Sequence, residues 1–273
     1  MSVDRPPEAR GHMIGLLGKA EEVRRSQGTL TMVQRGANYL AWRGSPVLWP
    51  LLNRGRTVGH RLRYDAPPRL YEPISVSPSA ITRYTWGVSK TLGLGAVRGG
   101  DWESDSLPLS EKWECRGLEQ RFVDGLDWEE TEYVRYPRRK YFAEGEDIWG
   151  YGTEAEFIEH RCGYVDRLYE SIRRDGYVRS ENGTDAFPGM DIRRIGYHHN
   201  FDPLVCIGAD GTIYHRDGYH RLMIAKALDI DAIPVLVLAR HPAWQEVREC
   251  AYAGELAESD PDREHPDIAP LLD

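Results

Sequence analysis

The clearest hydrophobic pattern in the chain is helical and begins near residue 153. Thr153-Glu154-Ala155-Glu156 has the form of a capping box, in which the threonine hydroxyl accepts a hydrogen bond from the N–H of Glu156. One apolar face then recurs at helical spacing: Phe157, Cys162, Val165, Leu168, Tyr169 and Ile172. Because Asp175-Gly176 supplies a glycine stop, we expect one helix from residue 153 to residue 175.

Short apolar runs further along the chain have the length of strands. Residues 204–207 and 212–214 flank Asp210-Gly211, a pair typical of hairpin turns. A helix is predicted from Tyr219 to Leu228, and residues 233–238 are expected to form a buried strand. The second half of the chain is therefore expected to run helix, hairpin, loop, helix, strand.

The remaining segments carry weaker patterns. Residues 14–42 have helical spacing interrupted by Gly28, and residues 69–76 alternate well enough for a strand. A helix is expected at 118–123, whereas residues 126–150 are aromatic, charged and irregular. Beyond Cys250 the chain is polar, acidic and proline-containing, which predicts a flexible tail.

Composition describes an ordinary soluble protein. The 273 residues are 41% hydrophobic and 29% charged, with a formal net charge of −8. No apolar run approaches the ~18 residues that a membrane-spanning helix needs, and we see no secretory signal. The four cysteines are far apart and form no CxxC pair, which favours separate reduced thiols and a cytoplasmic location.

Charge changes this picture, because it is unevenly distributed. Residues 1–70 hold 12 Lys and Arg against 5 Asp and Glu, whereas residues 71–273 hold 23 against 38. Such an asymmetry suggests that the basic part meets an anionic surface. Within residues 11–63, arginines surround short apolar pieces. This arrangement describes either peripheral contact with the inner face of the membrane or a helical hairpin packed on the main body, and nucleic acid is the less favoured partner.

The loop before the second predicted helix has the features of an anion site. Gly218 lets the backbone turn sharply or approach a ligand closely. The first turn of the following helix presents backbone N–H groups and the positive end of the helix dipole, and His220 and Arg221 lie in that turn. Asp217 stands at the entrance, where a carboxylate can hold a metal ion, accept a hydroxyl proton or simply cap the helix.

Residues 168–241 resemble the ParB/sulfiredoxin superfamily. The matching features are a Leu-x-x-Ser-Ile-x-x-x-Gly helix, a hairpin, a Gly-x-His-Arg motif that opens a helix, and a closing Ala-x-x-Leu-x-x-x-x-Ile-Pro-Val. They stand here at Leu168, Ser171, Ile172, Gly176, Gly218, His220, Arg221, Ala225, Leu228 and residues 233–235. The resemblance implies an α+β fold, with a small mixed sheet and flanking helices, that binds nucleotide phosphates through Gly218, Tyr219, His220 and Arg221.

Among the branches of that superfamily, the free serine kinases are the most similar, because they carry Asp-Gly-x-His-Arg. Sulfiredoxins place a cysteine where this chain has Tyr219. ParB proteins usually carry Arg-Arg, use CTP and continue into a DNA-binding domain, for which the 32 residues after His241 are too few. The kinase resemblance implies ATP or ADP as phosphate donor, with CTP as an alternative, and Mg²⁺ together with a small hydroxyl acceptor. The basic N-terminal pattern Lys19-Ala20, Arg24 and Gly28 resembles a helix found in proteins that accompany surface-glycan synthesis, which suggests a sugar or glycan precursor as that acceptor.

In that reaction two carboxylates serve phosphoryl transfer. Asp217 matches the first and is also the candidate magnesium ligand. For the second, the candidates are Asp101 and Glu103 in the glycine-rich stretch 92–103, because two close carboxylates on such a loop suit a base or a magnesium ligand. A solvated turn is the alternative for that loop.

These expectations divide the chain into a basic helical segment at residues 1–66, a ParB/sulfiredoxin-like nucleotide-binding domain at 67–250 and an acidic flexible tail at 251–273. Two functions remain open. One is a Mg-dependent kinase or NTPase-type phosphotransferase, and the other is a non-catalytic, nucleotide-responsive switch that contacts DNA, a membrane or a protein partner. Asp217 discriminates between them, because a switch needs a phosphate cradle and no base.

Overall fold

A computed structural model describes residues 51–90, 94–178 and 202–272, and within these ranges the architecture is a mixed sheet with flanking helices. The predicted α+β class is confirmed. The seven strands are β1 (Ile74–Val76), β2 (Arg83–Tyr84), β3 (Ala96–Val97), β4 (Leu107–Pro108), β5 (Leu204–Ile207), β6 (Ile213–Asp217) and β7 (Ile233–Arg240). The helices that matter below are α1 (Trp113–Phe122), α2 (Glu132–Lys140), α3 (Gly163–Asp175), α4 (Tyr219–Ala227) and α5 (Pro242–Tyr252).

The sheet is centred on the predicted hairpin and the predicted buried strand. Its strand order is β1-β7-β5-β6-β2-β4, and β3 also pairs with β7. β5 runs antiparallel to β6 and parallel to β7, so the hairpin and the strand after α4 are confirmed. β6 continues three residues beyond the expected end at Tyr214, and Asp217 is therefore the last residue of a strand rather than part of a loop.

The capping box at Thr153 is also confirmed. The hydroxyl of Thr153 accepts a hydrogen bond from the N–H of Glu156 at 3.2 Å, and the helix ends before Gly176, whose φ is +78°. Between the first helical turn and α3, however, residues Phe157–Cys162 form a π-helical turn. Such turns occur often at functional sites, and this one contains the buried Arg161.

The expectation of an irregular stretch at 126–150 is wrong, because that stretch contains α2. Most residues of α2 are charged, and only Tyr133, Val134 and Pro137 are buried, so no clear period marks it in the sequence. Packing against α1 explains the helix. A Cβ on Gly117 of α1 would lie 2.2 Å from the N atom of Tyr133, which means that only glycine permits this close approach.

Both faces of the sheet are covered, because side chains of β5 and β7 alternate between two cores. Val205, Ile207, Val235 and Val237 face one core, which also contains the helical residues Leu118, Phe157, Leu222 and Ile224. Leu204, Cys206, Leu236 and Leu238 face the other, which contains Leu70, Leu94 and Trp102. The α4 helix therefore belongs to the first face of the sheet.

The N-terminal segment joins the domain through a helix at 51–63 and the turn that follows it. The carboxylate of Glu249 on α5 accepts hydrogen bonds from the N–H groups of Asp65 at 2.7 Å and Ala66 at 3.2 Å. The expected boundary at residues 66–67 thus falls in a segment tied to α5. The helical pattern predicted at residues 14–42 lies outside the described residues.

The flexible tail expected from residue 251 is contradicted as far as residue 272. Asp267 is 2% exposed and accepts hydrogen bonds from Arg240 at 2.6 and 2.8 Å and from the indole N–H of Trp244 at 3.1 Å. Arg248 lies 2.9 Å from the same carboxylate. One acidic residue therefore serves as the shared counter-ion of two buried arginines, and acidic composition alone does not mark which residue does so.

Replacing Asp267 with asparagine tests this cluster. The substitution leaves two buried guanidinium groups without their counter-charge, and we expect it to lower the free energy of unfolding by about 3–5 kcal/mol in urea denaturation. The matched change Glu258→Gln, at an exposed position of the same segment, should alter it by less than about 0.5 kcal/mol. Equal effects of the two substitutions would contradict a packed C-terminal segment.

The same carboxylate predicts a dependence of stability on pH. Burial by itself would raise the pKa of Asp267, but the charges and hydrogen bonds of Arg240 and Arg248 lower it to about 2. A depressed pKa in the folded state means that the contribution is present above the unfolded value of about 3.9 and is lost as the pH falls through about 2. Asp267→Asn should therefore remove part of the acid-induced loss of stability in this window.

Candidate functional site

The turn from β6 into α4 depends on glycine at residue 218. Gly218 has φ +79° and ψ +30°, a left-handed conformation that favours glycine. A Cβ at this position would lie only 2.8 Å from the Cα of Pro203, the residue before β5. The expected sharp turn is therefore present, and the segment that closely approaches the Gly218 backbone is Pro203 of the same chain. This contact fixes where α4 begins.

Asp217 holds an ion pair beside that turn. One carboxylate oxygen contacts the ammonium of Lys90, and the other accepts a hydrogen bond from the N–H of Gly218 at 3.0 Å. Burial would raise the pKa of Asp217, but Lys90 and the backbone hydrogen bond lower it, so the carboxylate is ionised. Among the described residues, the backbone N–H that the Asp217 carboxylate binds is that of Gly218, the residue before α4, so Asp217 does not act as a simple N-cap of the helix.

The candidate partners Asp101 and Glu103 do not lie beside Asp217. Glu103 accepts a hydrogen bond from the N–H of Ala209 at 2.9 Å, in the turn between β5 and β6. Asp217 pairs with Leu204 at the opposite end of the same hairpin. Five residues of chain separate Leu204 from Ala209, which corresponds to roughly 16 Å along a strand. The expectation that Asp101 or Glu103 shares one site with Asp217 is therefore wrong.

Burial of Trp102 explains that placement. Its ring lies 5.8 Å from the ring of Tyr214 in the second core, and its indole N–H donates to the carbonyl of Arg98 at 3.0 Å. The buried indole anchors the glycine-rich loop, and the carboxylates on either side of it remain at the surface or at the hairpin turn. The sequence shows two close carboxylates but not the anchor between them.

Two buried cations flank the side chain of Tyr219 in the first turn of α4. The Lys112 ammonium lies 4.0 Å from the centre of the Tyr219 ring and 3.2 Å from the Glu114 carboxylate. Arg161, from the π-helical turn, donates to the Tyr219 hydroxyl at 3.2 Å. Burial raises the pKa of Tyr219 well above its usual value, so the phenol stays protonated.

A chain of hydrogen bonds links His220 to Tyr133 and Arg161. The Nε of Arg161 donates to the hydroxyl of Tyr133 at 3.0 Å, and this hydroxyl lies 2.7 Å from the Nε2 of His220. Burial, with the charges of Arg161 and Lys112, lowers the pKa of His220 well below 6.5, so the ring is neutral. The Tyr133 hydroxyl and the neutral His220 ring therefore share one hydrogen bond, whose direction follows from the tautomer of the ring.

The two arginines next to the turn extend in different directions. Arg221 donates to the carbonyl of Val178 at 2.9 Å, in the segment that follows α3. Arg216 donates to the carbonyl of Val88 at 2.6 Å, and its guanidinium lies 4.7 Å from the centre of the Trp86 ring. The start of α4 is thus surrounded by cations from the segment 85–90, from the residue that precedes α1, from the π-helical turn and from α4 itself.

Sequence reasoning identified the turn and missed the residues around it. Lys90, Lys112, Tyr133 and Arg161 come from distant segments, and none belongs to the recognised motif. The scarcity of lysine was a signal for Lys90 and Lys112. The chain has only five lysines, and these two lie beside the start of α4. Within the described ranges, no group of three or more His, Cys, Asp and Glu residues is arranged to hold a metal ion.

Comparisons of the whole chain with protein-family models, curated proteins and solved structures found no match.

The hydrogen-bond chain can be tested with Tyr133→Phe. This change leaves the Nε of Arg161 and the Nε2 of His220 without their common partner, and we expect the free energy of unfolding to fall by about 1–3 kcal/mol. The control is Tyr252→Phe, because Tyr252 is 57% exposed and its hydroxyl should contribute nothing measurable. Denaturation curves for the two variants that coincide with the wild-type curve would contradict the chain.

Proposed function

We propose that this protein binds the phosphates of a nucleotide at the N-terminus of α4, as members of the ParB/sulfiredoxin superfamily do. The observation that carries the proposal is the concentration of cations at this helix start. Lys90, Lys112, Arg161 and Arg221 gather there, although residues 71–273 hold more acidic than basic residues. The leading N–H groups of a helix and its dipole favour an anion at the same place.

The phosphate contacts follow from the geometry of the turn. Backbone N–H groups of the first turn are natural donors to phosphate oxygens. Arg221 supplies a planar guanidinium, which binds phosphate in a bidentate manner. His220 contributes as a neutral group, because its pKa is lowered by burial, and it can hydrogen-bond to a ligand without adding charge.

Phosphoryl transfer from ATP or ADP to a small hydroxyl compound is the activity that this site would support, with CTP as the alternative nucleotide. Asp217 is ionised and lies one residue before the phosphate-binding glycine, where it can accept the proton of an acceptor hydroxyl. It would also hold Mg²⁺ through an oxygen. One protein carboxylate suffices for that role, since nucleotide-bound Mg²⁺ takes its other ligands from phosphates and water. Lys90 would then neutralise charge on the phosphates.

The ion pair of Asp217 with Lys90 also favours the second candidate function. A carboxylate that is engaged by an ammonium group is a structural part of the loop, and a phosphate cradle of this kind serves a nucleotide-responsive switch equally well. The two functions differ in whether Asp217 takes part in turnover, and the experiments below separate them.

Binding is tested by thermal denaturation with ATP, ADP and CTP in the presence of Mg²⁺. At about 100 times the Kd, a nucleotide should add about 2.7 kcal/mol of apparent stability. Arg221→Ala should abolish this increment, measured against the variant's own melting temperature without nucleotide. Arg116→Ala, at an exposed position of α1, should retain it. A melting temperature that no nucleotide shifts at millimolar concentration would overturn the phosphate site.

Catalysis is tested by Asp217→Asn in a turnover assay with candidate hydroxyl acceptors. The amide keeps the size of the side chain but is neither a base nor a magnesium ligand of equal strength, so the rate should fall by about 100-fold or more. Asp101→Asn is the matched control, and we expect wild-type turnover from it because Asp101 belongs to the distant loop. If Asp217→Asn keeps its activity, the kinase assignment fails and the switch remains.

A further inference from the structure

The helix at residues 51–63 faces the domain with its polar side. Asn53 is 1% exposed, and its side chain donates to the hydroxyl of Tyr71 at 2.9 Å and accepts from the N–H of Leu94 at 3.2 Å. Arg56 donates to the carbonyl of Leu94 at 2.7 Å. These bonds fix the rotation of the helix about its own axis, since turning the other side inward would break them.

As a result, the apolar side of this helix points away from the protein. Leu51, Val58 and Leu62 lie opposite Asn53 on the helical wheel and are 61%, 59% and 85% exposed. Leu52, at 47%, widens the same stripe. A helix on the surface of a globular protein normally has the reverse arrangement, with its apolar stripe toward the core.

Arginines border this stripe on both sides. On the wheel, Arg54 and Arg61 lie along one border and Arg56 and Arg63 along the other, and residues 51–63 contain no Asp or Glu. The side chains of Arg54, Arg61 and Arg63 are exposed. An apolar stripe between two rows of arginine is the pattern of a helix that lies in the interface of an anionic membrane.

A groove beside the stripe adds a place for a lipid headgroup. It has a volume of about 620 Å³, and its lining includes Gly55, Arg56, Gly59, His60 and Arg63. Cβ atoms at the two glycines would meet nothing within 4 Å, so the groove is open along the helix. Burial is the main cause that lowers the pKa of His60 to about 4, and the neighbouring charges of Arg56, Arg240 and Arg63 lower it further.

We propose that the helix at 51–63 binds the surface of an anionic phospholipid membrane, with Leu51, Val58 and Leu62 in the acyl region and the arginines on headgroup phosphates.

The charge of the helix favours a membrane over another part of the same chain as the binding partner of this stripe. Residues 1–50 hold seven Lys and Arg against four Asp and Glu, so they do not complement a basic stripe. Pairing the same helix of two copies would bring arginines together. In the described residues no helix is long and apolar enough to cross a bilayer, and an in-plane helix needs no such length.

The test is cosedimentation of the full chain with vesicles of phosphatidylcholine alone and of phosphatidylcholine with phosphatidylglycerol. Binding should require the anionic lipid and weaken with added salt, which shortens the Debye length from about 10 Å at 0.1 M to about 3 Å at 1 M. Leu62→Glu should reduce binding by about tenfold or more, because it places a charge in the acyl region. Val123→Glu, at a position 63% exposed directly after α1, is the matched control and should bind as the wild type does.

A second pair of variants tests the arginines. Arg54→Gln and Arg61→Gln should each lower binding to anionic vesicles by about fivefold. Arg116→Gln on α1 should leave this binding unchanged.

Equal binding of Leu62→Glu and Val123→Glu, or equal binding to neutral and anionic vesicles, would overturn the proposal. So would a wild-type dimer that Leu62→Glu dissociates in size-exclusion chromatography, which would make the stripe a contact between copies. Nucleotide-induced thermal shifts should persist in Leu62→Glu, so the membrane and nucleotide proposals fail separately.

Discussion

The packing of the Gly218 backbone against Pro203 is the constraint on which the candidate site depends. No side chain fits between the two segments, so the beginning of β5 and the beginning of α4 meet at backbone distance. Glycine alone combines this approach with a positive φ at low cost. Because α4 begins there, its first turn packs beside α1 and the π-helical turn. Tyr219 then contacts Lys112 and Arg161, and His220 contacts Tyr133. A larger residue at 218 would therefore displace the whole cluster and not only the turn.

Two buried clusters in this protein handle positive charge differently. At the C-terminal segment, Asp267 binds Arg240 and Arg248 directly, and this shared carboxylate joins β7, α5 and the chain after it. At the start of α4, Lys90 pairs with Asp217 and Lys112 with Glu114, while Arg161 donates to two phenol oxygens. Burying cations is unfavourable unless an anion compensates. A phosphate group at α4 would supply that compensation.

The two proposed binding surfaces lie on opposite sides of the sheet. Leu222 and Ile224 of α4 pack in the core on one face, whereas the helix at 51–63 is bonded to Leu94, which packs in the core on the other. A membrane that binds the exposed stripe would therefore approach the face away from α4. The proposed nucleotide site would stay open to ligands from solution, as a phosphotransferase or a switch at a membrane surface requires.

By itself the sequence determined the local elements. The cap at Thr153, the hairpin, the glycine before α4 and the strand β7 follow from hydrophobic period and turn chemistry, which act between near neighbours. Tertiary structure alone decided the rest. It separated Asp101 and Glu103 from Asp217, because Trp102, which stands between the first two in the chain, is buried in the second core. It also placed the carboxylate of Asp267 against Arg240 and Arg248. It also turned the leucines of residues 51–63 outward, because Asn53 finds its hydrogen-bond partners at Tyr71 and Leu94. These outcomes depend on contacts between residues far apart in the chain, and no local pattern records such contacts.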